Sequence, residues 1–244
     1  MATKDRLDQL LQKREPQYSR AQIQSFIMQG KVSVNGMVVT KAGTLVNQDV
    51  LLSYDFQKPK FVSRAGFKLE KALEHFNIDV TNLVCMDAGI STGGFTDCLL
   101  QHGAKKIYGI DVGYGQVHEN VRNDSRVILL ERTNLREVES VGELVDLVTL
   151  DLSFISVLKV MDAVNAVAKP QAQLIILIKP QFESQKHEIE RGGLITDTKV
   201  HEAVVERVTK GVQAYGYTCK EVIESPLLGA TGNKEFLAYF IRNN

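Results

Sequence analysis

Cysteine is scarce in this chain. Cys85, Cys98 and Cys219 form an odd, scattered set of three in 244 residues, without C-x-x-C spacing, so neither a disulfide framework nor a zinc site is expected. The five histidines join them nowhere at metal-ligand intervals, and no metal is expected. Long apolar runs are missing too: the longest strongly apolar stretch, Leu174 to Ile178, falls far short of the ~20 residues that span a bilayer. The charged N-terminus does not resemble a secretory signal, so a cytoplasmic chain without a membrane partner is expected. Neither sign of charge is in excess, with 29 Lys and Arg against 29 Asp and Glu, which by itself argues against a nucleic-acid partner. What remains is ordinary globular composition, 44% hydrophobic and 24% charged, in a length that suits one large domain or two unequal ones.

The most informative stretch is Val84-Cys85-Met86-Asp87-Ala88-Gly89-Ile90-Ser91-Thr92-Gly93-Gly94-Phe95-Thr96, an apolar run that meets an acid and then a glycine-rich turn. Small residues let the backbone approach a ligand, and the unpaired N–H groups that open the next helix, Phe95 through His102, face outward. Asp87, Gly89, Ser91, Thr92, Gly93, Gly94 and Phe95 therefore read as a cofactor cradle. The glycine spacing fits neither G-x-G-x-x-G nor a phosphate loop, since no lysine follows. The pattern D-x-G-x-x-x-G-G-[FW]-[ST] instead resembles the first motif of S-adenosylmethionine (SAM) methyltransferases of the FtsJ-like ribose type. That resemblance implies that Asp87 organises the turn facing the methionine end of SAM.

Zero net charge conceals a split. Residues 1–60 carry nine Lys and Arg against five Asp and Glu, and residues 61–244 carry 20 against 24, so a basic module is joined to a neutral-to-acidic body. Residues 4–14 place Leu7, Leu10 and Leu11 at helical spacing; Ser19 caps a second helix over 21–29, closed by Gly30. Asn35-Gly36 between apolar residues predicts a hairpin of 32–34 with 37–39. The pattern Arg6-Leu7-Asp8, Ser19-Arg20, Gly30-Lys31-Val32, Val34-Asn35-Gly36, Lys41-Ala42-Gly43 and Asp49 resembles the S-four-type (S4) RNA-binding domain. It covers nearly all of residues 4–54. The RNA face so implied comprises Arg6, Lys13, Arg14, Ser19, Arg20, Gln24 and Lys31, a cluster suited to phosphate-dominated affinity.

Asp55 to Lys60, with Pro59 and two lysines, reads as a linker, which gives a module over 1–55, a linker over 56–62 and a body over 63–244. A helix over Ser63 to Phe76 opens the body, with Leu69, Leu73 and Phe76 inward. Strands then alternate with helices at 83–87, 107–111, 126–130, 145–151, 173–179, 217–223 and 235–241, predicting an α/β fold with helices on both faces of the sheet. Ligands in such sheets sit beyond the C-terminal strand ends, and polar residues stand there. Asp111, about 22 residues after Gly89, suits the ribose of a SAM or NAD cofactor alike. Asn134 is placed where an amide can read an adenine edge. Asp151 ends one strand and Lys179, fixed by Pro180, ends the next; a lysine there needs an acid nearby. Asp151 and Glu235 can supply it, and Lys68 joins them from the opening helix.

Lys68, Asp151, Lys179 and Glu235 resemble the K-D-K-E tetrad of FtsJ-like ribose 2′-O-methyltransferases. With the N-terminal module, the whole chain is similar to the TlyA or hemolysin-A-like family of ribosomal RNA methyltransferases. Ser63-Arg64-x-Gly66-x-Lys68-Leu69, Asp111-Val112-Gly113-Tyr114-Gly115-Gln116 and Ile178-Lys179-Pro180-Gln181-Phe182-Glu183 carry the match alongside the glycine-rich motif. The resemblance implies a Rossmann-like seven-stranded sheet with its last strand antiparallel, SAM as cofactor, and ribosomal RNA or ribosomal subunits as partner. The residues alone imply a nucleoside hydroxyl acceptor. Lys179 is read as the base that takes the hydroxyl proton. The alternatives are an NAD-dependent oxidoreductase, disfavoured by the glycine spacing, and a catalytically silent RNA-binding assembly factor, disfavoured by the complete tetrad. The family's hemolysin label would suggest a membrane-active toxin, but no span or strongly amphipathic basic helix supports that.

Overall fold

Met1–Pro59 and Lys60–Asn244 form two units in the computed structural model, which describes residues 4–56, 59–185, 188–189 and 192–244. The first unit runs β1 (Lys4–Arg6), α1 (Leu7–Arg14), α2 (Arg20–Met28), β2 (Val32–Val34), β3 (Met37–Val38), β4 (Leu45–Asn47) and β5 (Leu52–Tyr54). Residues 4–6 differ from the expected helix. They pair antiparallel with β4, and the N–H groups of Leu7 and Asp8 continue the attachment by donating to the carbonyls of Thr44 and Ala42. Helix α1 buries Leu7, Leu10 and Leu11, and α2 buries Ile23, Phe26 and Ile27, the stripes the spacing predicts. Ser19 caps α2 in a reciprocal box with Gln22. Asn35 and Gly36 both take positive φ, 51° and 79°, as a tight hairpin turn requires.

Two residues of the expected linker are packed. Phe56 is buried in the first core, stacked on Phe26 at 4.8 Å and Tyr54 at 4.6 Å, whereas Phe61 is buried in the core of the second unit. Residues 57 and 58 of that linker lie outside the described residues.

The second unit continues with α3 (Ala65–His75), β6 (Val84–Ala88), α4 (Gly94–Gln101), β7 (Lys106–Ile110), α5 (Glu119–Arg122), β8 (Val127–Leu130), β9 (Val145–Leu150), α6 (Met161–Val167), β10 (Ala168–Ile178), α7 (Pro180–Glu183), α8 (Thr198–Ala214), β11 (Tyr217–Glu224) and β12 (Phe236–Arg242). Its seven strands lie in the order β11-β12-β10-β9-β6-β7-β8. From β10 to β8 every neighbouring pair is parallel, and β12 runs antiparallel between β10 and β11. Alternation along the strands splits the core. Met86, Val148, Leu150, Leu174 and Ile176 face one side, with Val204, Val208 and Val212 of α8. Cys85, Leu147, Ile175 and Leu177 face the other, with Leu69 and Leu73 of α3 and Leu99 of α4. Each such side chain contributes about 1.5–3 kcal/mol relative to exposure. Chain order reverses on either side of β6, so a crevice opens beyond the ends of β6, β7 and β9.

Candidate active site

The turn after β6 is built by backbone constraints. Gly89 has φ +86°, and a Cβ there would stand 2.5 Å from the Asp151 carbonyl oxygen; only glycine lets these two strand ends meet. Gly93, at φ +93°, is the left-handed residue that starts α4, and a Cβ on it would press on Val121 at 3.0 Å. A Cβ on Gly94 would overlap the Ser63 hydroxyl. The glycines at 93 and 94 were expected to make room for a ligand. The structure turns their Cβ positions toward protein, where they admit the close approach of α5 and of the chain leading into α3. Thr92 is exposed and Phe95 is buried in the core.

A cavity of about 390 Å³ occupies the crevice, within the usual range for small-molecule sites. Of the expected cofactor residues, Gly89, Ser91, Asp111 and Asn134 line it, together with Asp151 and Leu152-Ser153-Phe154. Asp111 fixes its mouth. Its Oδ2 accepts the Ser91 N–H at 2.8 Å and its Oδ1 the Gly113 N–H at 2.7 Å, and a carboxylate has acceptor capacity left for further donors. Asn134 is partly engaged, its Oδ1 accepting the Arg136 N–H at 3.2 Å and its amide donating to Glu137 at 2.7 Å. Ser91, Arg132 and Phe154 take positive φ of 48°, 55° and 66° around this mouth, the kind of backbone strain that gathers at functional sites.

Beside the cavity, the sheet brings Asp151, Lys179 and Glu235 to neighbouring strand ends, and Lys68 reaches them from α3. Ile178 of β10 faces Phe236 of β12, so Lys179 and Glu235 follow at adjacent strand ends, with β9 on the other flank of β10. Lys179 Nζ pairs with Asp151 Oδ1 at 2.6 Å and donates to Ser153 Oγ at 3.1 Å. Lys68 Nζ pairs with Glu235 Oε2 at 2.5 Å, and both residues are buried. Gly229 has no room for a Cβ beside the Glu235 carboxylate. Buried Asn233 steadies this loop: its Oδ1 accepts the Ile195 N–H at 2.9 Å, and its amide donates to the Gly193 carbonyl and to Thr231. Sequence reasoning missed Asn233 and Ser153. It also missed Phe154, which is 91% exposed at the cavity with its ring 5.0 Å from Phe182. Their place directly after the strand-end acid Asp151 was the available signal for the pair at 153 and 154.

The fold of this chain has counterparts among known proteins. The FtsJ-like methyltransferase family matches residues 61–242, and the S4 domain matches residues 5–51. The chain belongs to the FtsJ-like methyltransferase family. It is 40% identical over 242 residues to the 16S/23S rRNA (cytidine-2′-O)-methyltransferase TlyA of Mycobacterium tuberculosis, covering 98% of this chain and 90% of that protein. It is 39% identical over 240 residues to Hemolysin A of Brachyspira hyodysenteriae, covering 97% of this chain and 99% of the other. Among solved structures, a Streptococcus thermophilus chain named as a candidate hemolysin superposes with TM-score 0.77 at 36% identity, covering 100% of this chain and 90% of its own. Membership in the FtsJ-like family removes the oxidoreductase alternative. Among the described residues of this methyltransferase, no helix is long and apolar enough to cross a membrane.

The S4 domain of this FtsJ-like protein distributes its expected RNA residues unevenly. Arg6, Arg20 and Gln24 converge on Asp8. Lys13 pairs with Asp5 at 2.9 Å, Arg14 donates to the Gln48 carbonyl, Lys31 Nζ lies 5.9 Å from the Phe26 ring centre, and the Ser19 hydroxyl serves as the cap of α2.

Asp87, the acid of the methyltransferase motif, is fully buried and accepts from Thr96 Oγ1 at 2.6 Å and Thr149 Oγ1 at 3.0 Å. Burial pushes its carboxyl up to about 6; the two threonines oppose this and Asp151 reinforces it. A carboxyl raised in the folded state binds its proton more tightly there than in the unfolded chain. Its contribution to stability is therefore full below the ordinary carboxyl range near pH 4, falls as pH rises toward 6, and stays low above that. Asp87→Asn is expected to melt higher than the parent at pH 7.5, by about 2–3 kcal/mol, with the gap closing near pH 4. A melting difference that ignores pH would show that the carboxylate carries no such penalty.

Proposed function

We propose that the larger unit transfers the methyl group of SAM to a ribose 2′-hydroxyl of ribosomal RNA, and that the S4 unit grips that RNA. The observation that carries this reading is the convergence of the Lys179–Asp151 and Lys68–Glu235 pairs at adjacent strand ends, next to a cavity whose rim carries Asp111. The residues fit SAM: the cavity has the volume, Asp111 retains acceptor capacity for ribose hydroxyls, Gly89 gives a close backbone approach, and Asn134 offers an amide for an adenine edge. SAM supplies an already activated methyl group when bound. The chain must then orient a hydroxyl and take its proton.

Lys179 is placed for both tasks. Asp151 and Ser153 fix its nitrogen; after the ammonium releases a proton to solvent, the amine takes the hydroxyl proton as the ribose oxygen takes the methyl group. Lys68 and Glu235, both buried, set a second charged pair at the adjoining strand end, where it acts on the reaction with the first. Phe154 presents an exposed aromatic face on which a nucleobase can stack, a contact worth about 1–3 kcal/mol. The Mycobacterium tuberculosis relative, named as a 16S/23S rRNA (cytidine-2′-O)-methyltransferase, supports the choice of acceptor.

The test is to incubate the full chain with methyl-labelled SAM and ribosomal subunits, and to digest the RNA to nucleosides. Label is expected in 2′-O-methylated nucleosides, and a 2′-deoxy nucleotide at the target is expected to stop transfer. Label on a base would refute the ribose reading, and no label in the presence of RNA binding would leave the silent assembly factor.

A further inference from the structure

Arg6 and Arg20 come from different elements, β1 and the first turn of α2, yet they reach one carboxylate. Asp8 lies in the first turn of α1 and is fully buried. Arg6 donates through Nε to Oδ1 and through Nη2 to Oδ2, both at 3.1 Å. Arg20 donates through Nε and Nη2 to Oδ2, again at 3.1 Å each. Gln24 adds a bond to Oδ2 at 2.7 Å and the Gln9 N–H one to Oδ1 at 3.0 Å. Burial favours the neutral acid, but hydrogen bonds from Arg6, Gln24 and Arg20 outweigh it and hold the carboxyl well below its usual range. The arginine side chains nevertheless remain 43% and 45% exposed.

Both guanidinium groups are thus gripped by their Nε and Nη2 edges, and the bonds to Asp8 leave Nη1 unused. A third wall holds Arg6: a Cβ on Gly43 would stand 3.2 Å from its Nη1 and 3.4 Å from its Cζ. An arginine that swings freely in water loses rotamer freedom when it meets a phosphate, whereas one already held loses little. We propose that Asp8 is a positioning residue, clamping Arg6 and Arg20 into a pre-ordered pair of guanidinium groups that receives phosphate oxygens of RNA. This rests on the RNA-gripping role proposed for the S4 unit. It opposes simple electrostatics: Asp8 subtracts a charge from a basic face, so counting charges predicts that its removal tightens RNA binding.

The test uses the full chain and a labelled ribosomal-RNA transcript, with affinity measured by filter retention between about 50 and 200 mM salt, where phosphate contacts dominate. Asp8→Asn is expected to weaken binding about 10-fold despite the added positive charge. In an Arg6→Gln/Arg20→Gln background the same change is expected to shift affinity less than about 2-fold, because nothing remains to be positioned. Gly43→Ala alters no charge and pushes on the Arg6 guanidinium; a loss of about 3-fold is expected, and this variant keeps the question open to test if Asp8→Asn unfolds the unit. Tighter binding by Asp8→Asn overturns the proposal. So does an equal loss in both backgrounds, which makes Asp8 merely structural, or unchanged affinity in Gly43→Ala. If the parent chain retains no ribosomal RNA at any salt, the RNA-gripping role itself fails, an outcome distinct from these.

Discussion

Lys179→Arg is expected to lower methyl transfer by about 10²- to 10⁴-fold, the usual loss when a general base is removed, while SAM and RNA still bind. Arginine retains the positive charge and can still meet Asp151 and Ser153, the two partners of the Lys179 ammonium. It cannot give up its proton at any pH the protein survives. The substitution therefore separates a base from an electrostatic anchor. Single-turnover rates at saturating RNA are the measurement, with binding of each ligand measured separately. Near-normal turnover in Lys179→Arg would reduce the lysine to a substrate-positioning cation, and Lys179→Ala would then be the more damaging change.

Glu235→Ala is expected to cost the larger unit about 3–5 kcal/mol, because it strands the Lys68 ammonium in a buried site without its counter-charge. Lys68 is 8% exposed and Glu235 3%, so water cannot substitute for the lost partner. The double variant Lys68→Met/Glu235→Leu removes both charges at similar volume and is expected to recover most of that stability, yet to remain inactive. Calorimetric unfolding of the full chain reads the first effect and methyl transfer the second. If the single and double variants unfold alike, the pair is not coupled as its geometry implies. If the double variant methylates RNA at the parent rate, the buried pair belongs to the scaffold and not to the chemistry.

The sheet was legible because its signals are local. Near-continuous apolar runs at 145–150 and 174–178 mark strands buried on both faces, and an acid or lysine at a strand end is visible in one dimension. Asp151, Lys179 and Glu235 were legible as strand-end residues for the same reason, whereas Lys68 lies within α3 and meets Glu235 only through packing. Residues 4–6 were misread because Lys-Asp-Arg runs without a break into α1, and only the distant β4 draws these three residues into a ladder. The three-residue strands β4 and β5 are likewise made by pairing rather than by their own pattern. Gly93 and Gly94 were legible as glycines but not in the direction their missing Cβ atoms would point, which depends on Val121 and Ser63 arriving from elsewhere. The Asp8 hub was opaque because its three long side chains come from positions 6, 20 and 24, and in the sequence each looks like a separate surface group.

The place of β12 in the sheet also sets an order in time. It lies between β10 and β11, so those strands cannot take their final neighbours until it has been synthesised, and Glu235 immediately precedes it. The first unit, by contrast, closes its core with Phe56. At ~5–20 residues per second, the roughly 180 residues between Phe56 and Glu235 take about ten to forty seconds to emerge, and domains fold as they appear. A ribosome making this protein therefore carries a finished S4 unit well before the methyltransferase site is complete.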